Sequence, residues 1–71
     1  LNITVNAVCP GFVETDALSG MSPEDRQVAM AKVPMRRFAS PEEVAAAVRF
    51  LACLEASYIT GSMLKVDGGI F

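Results

Sequence analysis

The groups best placed to do chemistry crowd into one stretch, Val8-Cys9-Pro10-Gly11-Phe12-Val13-Glu14-Thr15. An apolar run precedes it, so it falls at the carboxyl end of an expected strand. In open α/β sheets, ligands bind outside that edge. Gly11 lets a ligand approach the backbone closely. Val13 offers a main-chain N–H and C=O, and Thr15 adds a hydroxyl that can donate or accept. Such a set suits a carboxamide, which needs both a donor and an acceptor. Spacing alone favours the plainer account, an ordinary strand-to-loop turn.

Other candidates are poorer. Tyr58 is the one tyrosine, and a catalytic tyrosine needs a nearby cation to lower its pKa. One helical turn further on stands Ser62, not lysine, and Lys65 lies beyond it on an expected strand. A packing role is expected for Tyr58. Asp67-Gly68-Gly69 offers one carboxylate without partner ligands, so it is expected to be a turn rather than a metal or phosphate site. Glu42 and Glu43 are neighbours in sequence and suit the positive end of a helix dipole rather than a facing acid pair. Arg36-Arg37 could meet a phosphate, an acyl-carrier surface or a carboxylate, although a solvated pair or local salt bridge is the commoner arrangement. The absence of histidine excludes a Ser-His-Asp triad and histidine-based zinc sites. There is no G-x-G-x-x-G and no G-x-x-x-x-G-K-[ST], so no phosphate cradle can be assigned. Cys9 and Cys53 form no C-x-x-C pair and sit among apolar residues. They are expected to be reduced, small hydrophobes. No metal site is expected.

The elements that must position these groups can be read from pattern and punctuation. Residues 2–9 read as a strand rich in β-branched residues, ended by Pro10-Gly11. An irregular, lid-like segment with helical turns is expected over residues 16–37. Within it, Ser22-Pro23-Glu24-Asp25 marks a helix start, with Ser22 as cap and Asp25 at capping-box spacing. Pro34 should stop that helix near Lys32. Ser40-Pro41-Glu42-Glu43 repeats the signal, and Val44, Ala47, Val48 and Leu51 recur at helical spacing over an expected helix 41–53. Residues 63–66 read as a short strand before the Asp67-Gly68-Gly69 turn. A helix between two strands favours a crossover in a parallel sheet, hence an α/β class. Two strands make no stable sheet alone, so the unit is expected to be incomplete as a domain.

The chain has 71 residues, 52% hydrophobic, with a formal net charge of −2. That hydrophobic content suits a chain leaning on other segments or subunits. The charge gives no reason to expect nucleic acid. No apolar run approaches the ~18 residues of a membrane span. No leader is expected before the first strand. Opening on Leu1, inside an apolar alternating segment, the sequence reads as one whose upstream part is absent.

Taken in order, these motifs resemble short-chain dehydrogenases/reductases. Ile3-Thr4-Val5-Asn6-Ala7-Val8-Cys9-Pro10-Gly11-Phe12-Val13-Glu14-Thr15-Asp16 is similar to the family's sixth strand and following turn. Val33-Pro34-Met35-Arg36-Arg37-Phe38 with Ser40-Pro41-Glu42-Glu43-Val44-Ala45 resembles its P-x-x-R-x-x-x-P-E-E-V-A stretch. Phe50-Leu51-Ala52, Ala56-Ser57-Tyr58-Ile59-Thr60-Gly61 and Val66-Asp67-Gly68-Gly69 complete the likeness, which covers essentially the whole chain. P-G-F-V-E-T-D and S-Y-I-T-G resemble its 3-oxoacyl-[acyl-carrier-protein] reductases, although sugar, steroid and alcohol dehydrogenases share a similar carboxyl-terminal region.

The resemblance implies the carboxyl-terminal part of a Rossmann-like, doubly wound parallel sheet. It also implies a cytoplasmic enzyme using NADP or NAD to reduce a carbonyl on a small molecule or an acyl carrier, as a 3-oxoacyl-[acyl-carrier-protein] reductase does in fatty acid synthesis. By position, Pro10, Gly11, Val13 and Thr15 would border the nicotinamide, with the Val13 backbone and Thr15 holding its carboxamide. Residues 16–37 would be the substrate lid. The last helix and strand would form the face of a homo-oligomer, a dimer or tetramer. The family's glycine-rich turn, N-A-G stretch, catalytic serine and Tyr-x-x-x-Lys pair belong upstream of Leu1, so no catalytic residue is assigned in this chain. Its other reading is a non-catalytic interaction piece. Cys53-Leu54 stands where the family commonly has Ser-Asp, which makes that helix end more apolar.

Overall fold

The computed structural model describes residues 3–71. Its elements run β1 (Ala7–Pro10), α1 (Asp16–Ser19), α2 (Pro23–Ala31), α3 (Pro41–Ala52), a 3₁₀ turn (Leu54–Ala56) and β2 (Met63–Val66). β1 and β2 pair in parallel, with Ala7 opposite Met63 and Pro10 opposite Val66. The architecture is α/β, with helices between two parallel strands.

β1 is shorter than the expected strand over residues 2–9, and it is shifted. Residue 2 lies outside the described residues. Before Ala7 the two segments are joined through side chains as much as backbone. Val5 N–H donates to Thr60 Oγ1 (3.1 Å), and Ser62 N–H and Oγ–H both donate to Asn6 Oδ1 (3.0 and 2.7 Å). At the other end Pro10 belongs to the ladder rather than stopping it. Ala7 N–H donates to Ser62 O (3.0 Å) and Gly11 N–H to Val66 O (3.1 Å). Donors toward β2 therefore fall at alternate residues, and Pro10 stands at a position that owes β2 none.

Serine caps start both longer helices. Ser40 Oγ accepts from Glu43 N–H (3.2 Å), and Glu43 Oε1 accepts from Ser40 N–H (2.9 Å), closing a full capping box. Ser22 Oγ accepts from Asp25 N–H (3.1 Å), but that box is only half made. Asp25 is one methylene shorter than glutamate at the position that should reach back. α2 ends at Ala31, and Arg36 returns its guanidinium to Ala31 O (2.9 Å) from a left-handed backbone with φ 60°.

The buried apolar residues show where this chain has a core. Ala29, Val33 and Phe38 are buried, all in or after α2, and Ala56 is buried in the 3₁₀ turn. Val33 and Pro34 lie against the Gly68-Gly69 turn, and Met35 N–H donates to Gly68 O (3.2 Å). A side-chain carbon at Gly68 would come within 2.7 Å of Val33 Cγ1, and Gly68 has φ 62°, so glycine is required there twice over. The segment after α2 thus closes onto the turn that follows β2. Helix α3 lies against both strands through half-buried Val44, Ala47 and Leu51, yet it buries no residue fully. The radius of gyration is 14.6 Å, against ~11 Å for a self-contained domain of this length.

Candidate functional site

Gly11 to Thr15 leaves β1 at its carboxyl end and runs beside residue 39. Ala39 N–H donates to Phe12 O (2.9 Å), and Glu14 N–H donates to Ala39 O (2.8 Å), making a parallel bridge between Val13 and Ala39. In that bridge Ala39 spends both its main-chain groups on the neighbours of Val13. Val13's own N–H and C=O are left without a partner among the described residues. Thr15 caps α1 with its backbone, Ser19 N–H donating to Thr15 O (2.9 Å), while its side chain makes no cap bond. One amide donor, one carbonyl acceptor and one hydroxyl are therefore uncommitted within three consecutive residues. That is a set able to bind a primary carboxamide.

Gly11 has a second reason to be glycine. A β-carbon there would lie 2.8 Å from Asp67 Cβ and 3.0 Å from Asp67 Cα. The side of Gly11 without a side chain is filled by the turn after β2. Asp67 Oδ1 accepts from Gly69 N–H (2.9 Å), which makes Asp67-Gly68-Gly69 a self-bonded turn. Asp67 Oδ2 is buried with no donor among the described residues. A carboxylate oxygen in that state costs free energy until a donor reaches it.

The loop is clamped from the α2 side. Arg26, on α2, donates from Nη1 and Nη2 to the two carboxylate oxygens of Glu14 (2.8 and 2.9 Å). The same guanidinium lies 5.0 Å from the centre of the Phe38 ring, which in turn packs on Phe12 at 5.6 Å. The Arg26 hydrogen bonds hold the Glu14 carboxyl below its ordinary range, with a smaller charge contribution in the same direction.

Arg36 and Arg37 are both spent internally. Arg37 forms a two-bond pair with Glu43 (2.8 Å each), which draws the Glu43 carboxyl down to about 2, and Arg36 caps α2. The packing role expected for Tyr58 is not met within the described residues. Tyr58 is fully exposed, two residues past Ala56, which the 3₁₀ turn buries. Cys9 and Cys53 are unpaired and half-buried. No group of three or more potential metal ligands occurs among the described residues, and no helix there is long and apolar enough to cross a membrane.

A profile for the family described as enoyl-(acyl carrier protein) reductase matches residues 1–71, the whole chain. The chain is 49% identical over 69 residues to the 3-oxoacyl-[acyl-carrier-protein] reductase FabG of Vibrio cholerae, covering 97% of this chain and 28% of that protein. It is 51% identical over 70 residues to the FabG of Aquifex aeolicus, covering 99% and 28%. It is 46% identical over 69 residues to an acetoacetyl-CoA reductase of Allochromatium vinosum, covering 97% and 28%. The chain belongs to the short-chain dehydrogenase/reductase family. It spans 28% of the length of each of these relatives. The parallel pair β1–β2 with α3 is accordingly part of this family's Rossmann-like sheet.

Within that family setting, two sets of interactions are not announced by the sequence. Arg26 and Glu14 meet across a loop without helical or strand periodicity, so no spacing rule points to the pair. Asn6 bonds to Ser62 and, through Nδ2, to Ile59 O (3.2 Å), and it fixes how β1 enters the sheet. Its only sequence signal is a polar residue within an apolar strand, which suggests a partner without naming one.

Proposed function

We propose that the chain is the nicotinamide-facing, carboxyl-terminal part of an NAD(P)H-dependent reductase acting on a 3-oxoacyl thioester, carried on acyl carrier protein as in fatty acid synthesis. The observation that supports this most directly is Val13, whose two main-chain groups stand uncommitted beside the uncommitted Thr15 hydroxyl. The relatives' names support the substrate class. A 3-oxoacyl group on acyl carrier protein and an acetoacetyl group on CoA are both thioester-linked acyl chains with a carbonyl at the third carbon.

In this reading the Val13 backbone and Thr15 Oγ1 hold the nicotinamide carboxamide, and Pro10 and Gly11 border the ring. The cofactor, when bound, supplies the hydride. This chain's residues orient it, and the lid of residues 16–37 excludes water from the reacting carbonyl. Proton donation and phosphate binding belong to parts of the whole protein outside these 71 residues. The exposed apolar side chains Val48, Phe50, Leu54, Tyr58 and Met63, on or after α3 and at the start of β2, suit the interface of a homo-oligomer.

The test is consumption of NADPH or NADH by the full-length protein carrying this chain, with an acetoacetyl thioester as substrate. Turnover with the thioester and none with the free 3-oxo acid supports the reading. Turnover confined to sugars or steroids would replace it with another dehydrogenase of the family.

A further inference from the structure

We infer that Arg26 is a positioning residue that couples docking of the lid to the order of the nicotinamide-binding loop. The inference rests on the proposed reading of Val13 and Thr15 and goes beyond it. Glu14 lies between those two residues, and among the described residues its side chain is held by α2 through Arg26. The grip has three parts. The guanidinium makes two parallel hydrogen bonds to the Glu14 carboxylate, at 2.8 and 2.9 Å. Its Cζ lies 5.0 Å from the centre of the Phe38 ring, which is buried and packs on Phe12 at a 57° tilt. Its Nη1 also reaches Leu18 O, at the far side of α1, at 3.4 Å. One planar cation therefore touches the loop, the lid's first short helix and the aromatic pair beneath both.

Geometry of this kind lifts an exposed ion pair above the usual small contribution, because the fork fixes direction as well as distance. Lysine could supply the charge but not the two parallel bonds together with the contact over Phe38. Glu14 N–H is separately held by Ala39 O. Losing Arg26 therefore frees the side-chain clamp without unpinning the whole loop. The expected consequence is a loop that samples more arrangements of Val13 and Thr15, and a lid that opens more often. Weakening should fall on the nicotinamide half of the cofactor and not on its adenosine half, which these residues do not reach in the proposed reading.

The experiment uses the full-length protein and measures dissociation constants for NADPH and NADH, and for ADP-ribose and its 2′-phosphate, which lack nicotinamide. Arg26→Gln and Glu14→Gln should each weaken the dinucleotide about three- to fivefold, in the range of one well-formed exposed ion pair, and leave ADP-ribose binding unchanged. Arg26→Lys should fall between them and the unmodified protein. The exchange Glu14→Arg with Arg26→Glu should recover part of the loss. Thermal unfolding of each variant separates this from general loss of fold. Equal weakening of both ligand classes, or no change in either, overturns the coupling. If the unmodified protein itself binds the dinucleotide no better than ADP-ribose, the nicotinamide reading fails instead.

Discussion

Gly11→Ala probes how tightly the candidate loop is seated. The new methyl would lie 2.8 Å from Asp67 Cβ and 3.0 Å from Asp67 Cα, about 0.7 Å short of ordinary carbon contact. The obstacle is backbone as well as side chain, so rotation of Asp67 cannot relieve it. The ends of β1 and β2 must part, and the 3.1 Å bond from Gly11 N–H to Val66 O lengthens beyond useful range. Forced overpacking costs about 1–3 kcal/mol. Alanine returns about 0.4–1 kcal/mol by restricting the unfolded chain, since Gly11 is not in the left-handed region. The net loss is about 1–2 kcal/mol, or roughly 2–8 °C in a protein of about 150–250 residues. The assay is thermal unfolding of the full-length protein followed by circular dichroism, with dinucleotide binding measured on the same samples. Both should fall together, because Val13 and Thr15 ride on the displaced strand end. Adding Asp67→Gly should recover part of the loss, as it removes one of the two close carbons. An unchanged melting temperature in Gly11→Ala would refute the seating argument.

Thr15→Val should weaken cofactor use by about 0.5–1.5 kcal/mol, the net worth of one neutral hydrogen bond, with Thr15→Ser milder; an unaltered cofactor KM and kcat would return the loop to a plain turn. Ser40→Ala should destabilise the protein by about 1 kcal/mol through loss of the cap on α3, read as a shift in the urea midpoint. The Glu43 carboxyl lies below its ordinary 4.5, at about 2, so its pair with Arg37 stabilises above pH 4.5 and is lost as pH falls toward 2. The difference in unfolding midpoint between the unmodified protein and Glu43→Gln should therefore shrink over that interval. The isolated 71-residue chain should show neither reductase turnover nor a cooperative urea transition as a monomer. Sedimentation with circular dichroism checks the second point, and a stable monomer would overturn it.

Much of the fold was legible because local chemistry decided it. Ser40-Pro41-Glu42-Glu43 carries its capping box in its own spacing, and the structure closes that box. The α/β class followed from one apolar helix between two β-branched runs. Other features depend on contacts between distant segments, which no local pattern encodes. The start of β1 was misplaced because Asn6 and Thr60 side chains, not a regular ladder, join the segments before Ala7. Pro10 was misread as a stop because the parity of the ladder depends on which strand lies alongside. In the candidate site, the Thr15 hydroxyl is legible as a polar group just past the strand, whereas the Val13 backbone is singled out by the family resemblance and not by residue type. Arg26 is legible in neither way, since its value lies in reaching Glu14 and Phe38 at once.

The place of Pro10 in the ladder has a consequence for the other margin of β1. Odd-numbered residues give their N–H groups to β2, so even-numbered ones face the opposite way. A strand lying along that opposite margin would take a bond from Val8 and find no donor at Pro10. Pro10 can still accept there through its carbonyl, so that margin keeps an acceptor where it lacks a donor. At the level of Pro10 the opposite margin can therefore only receive a hydrogen bond, while one residue on Gly11 still gives its N–H to Val66 O on the β2 side.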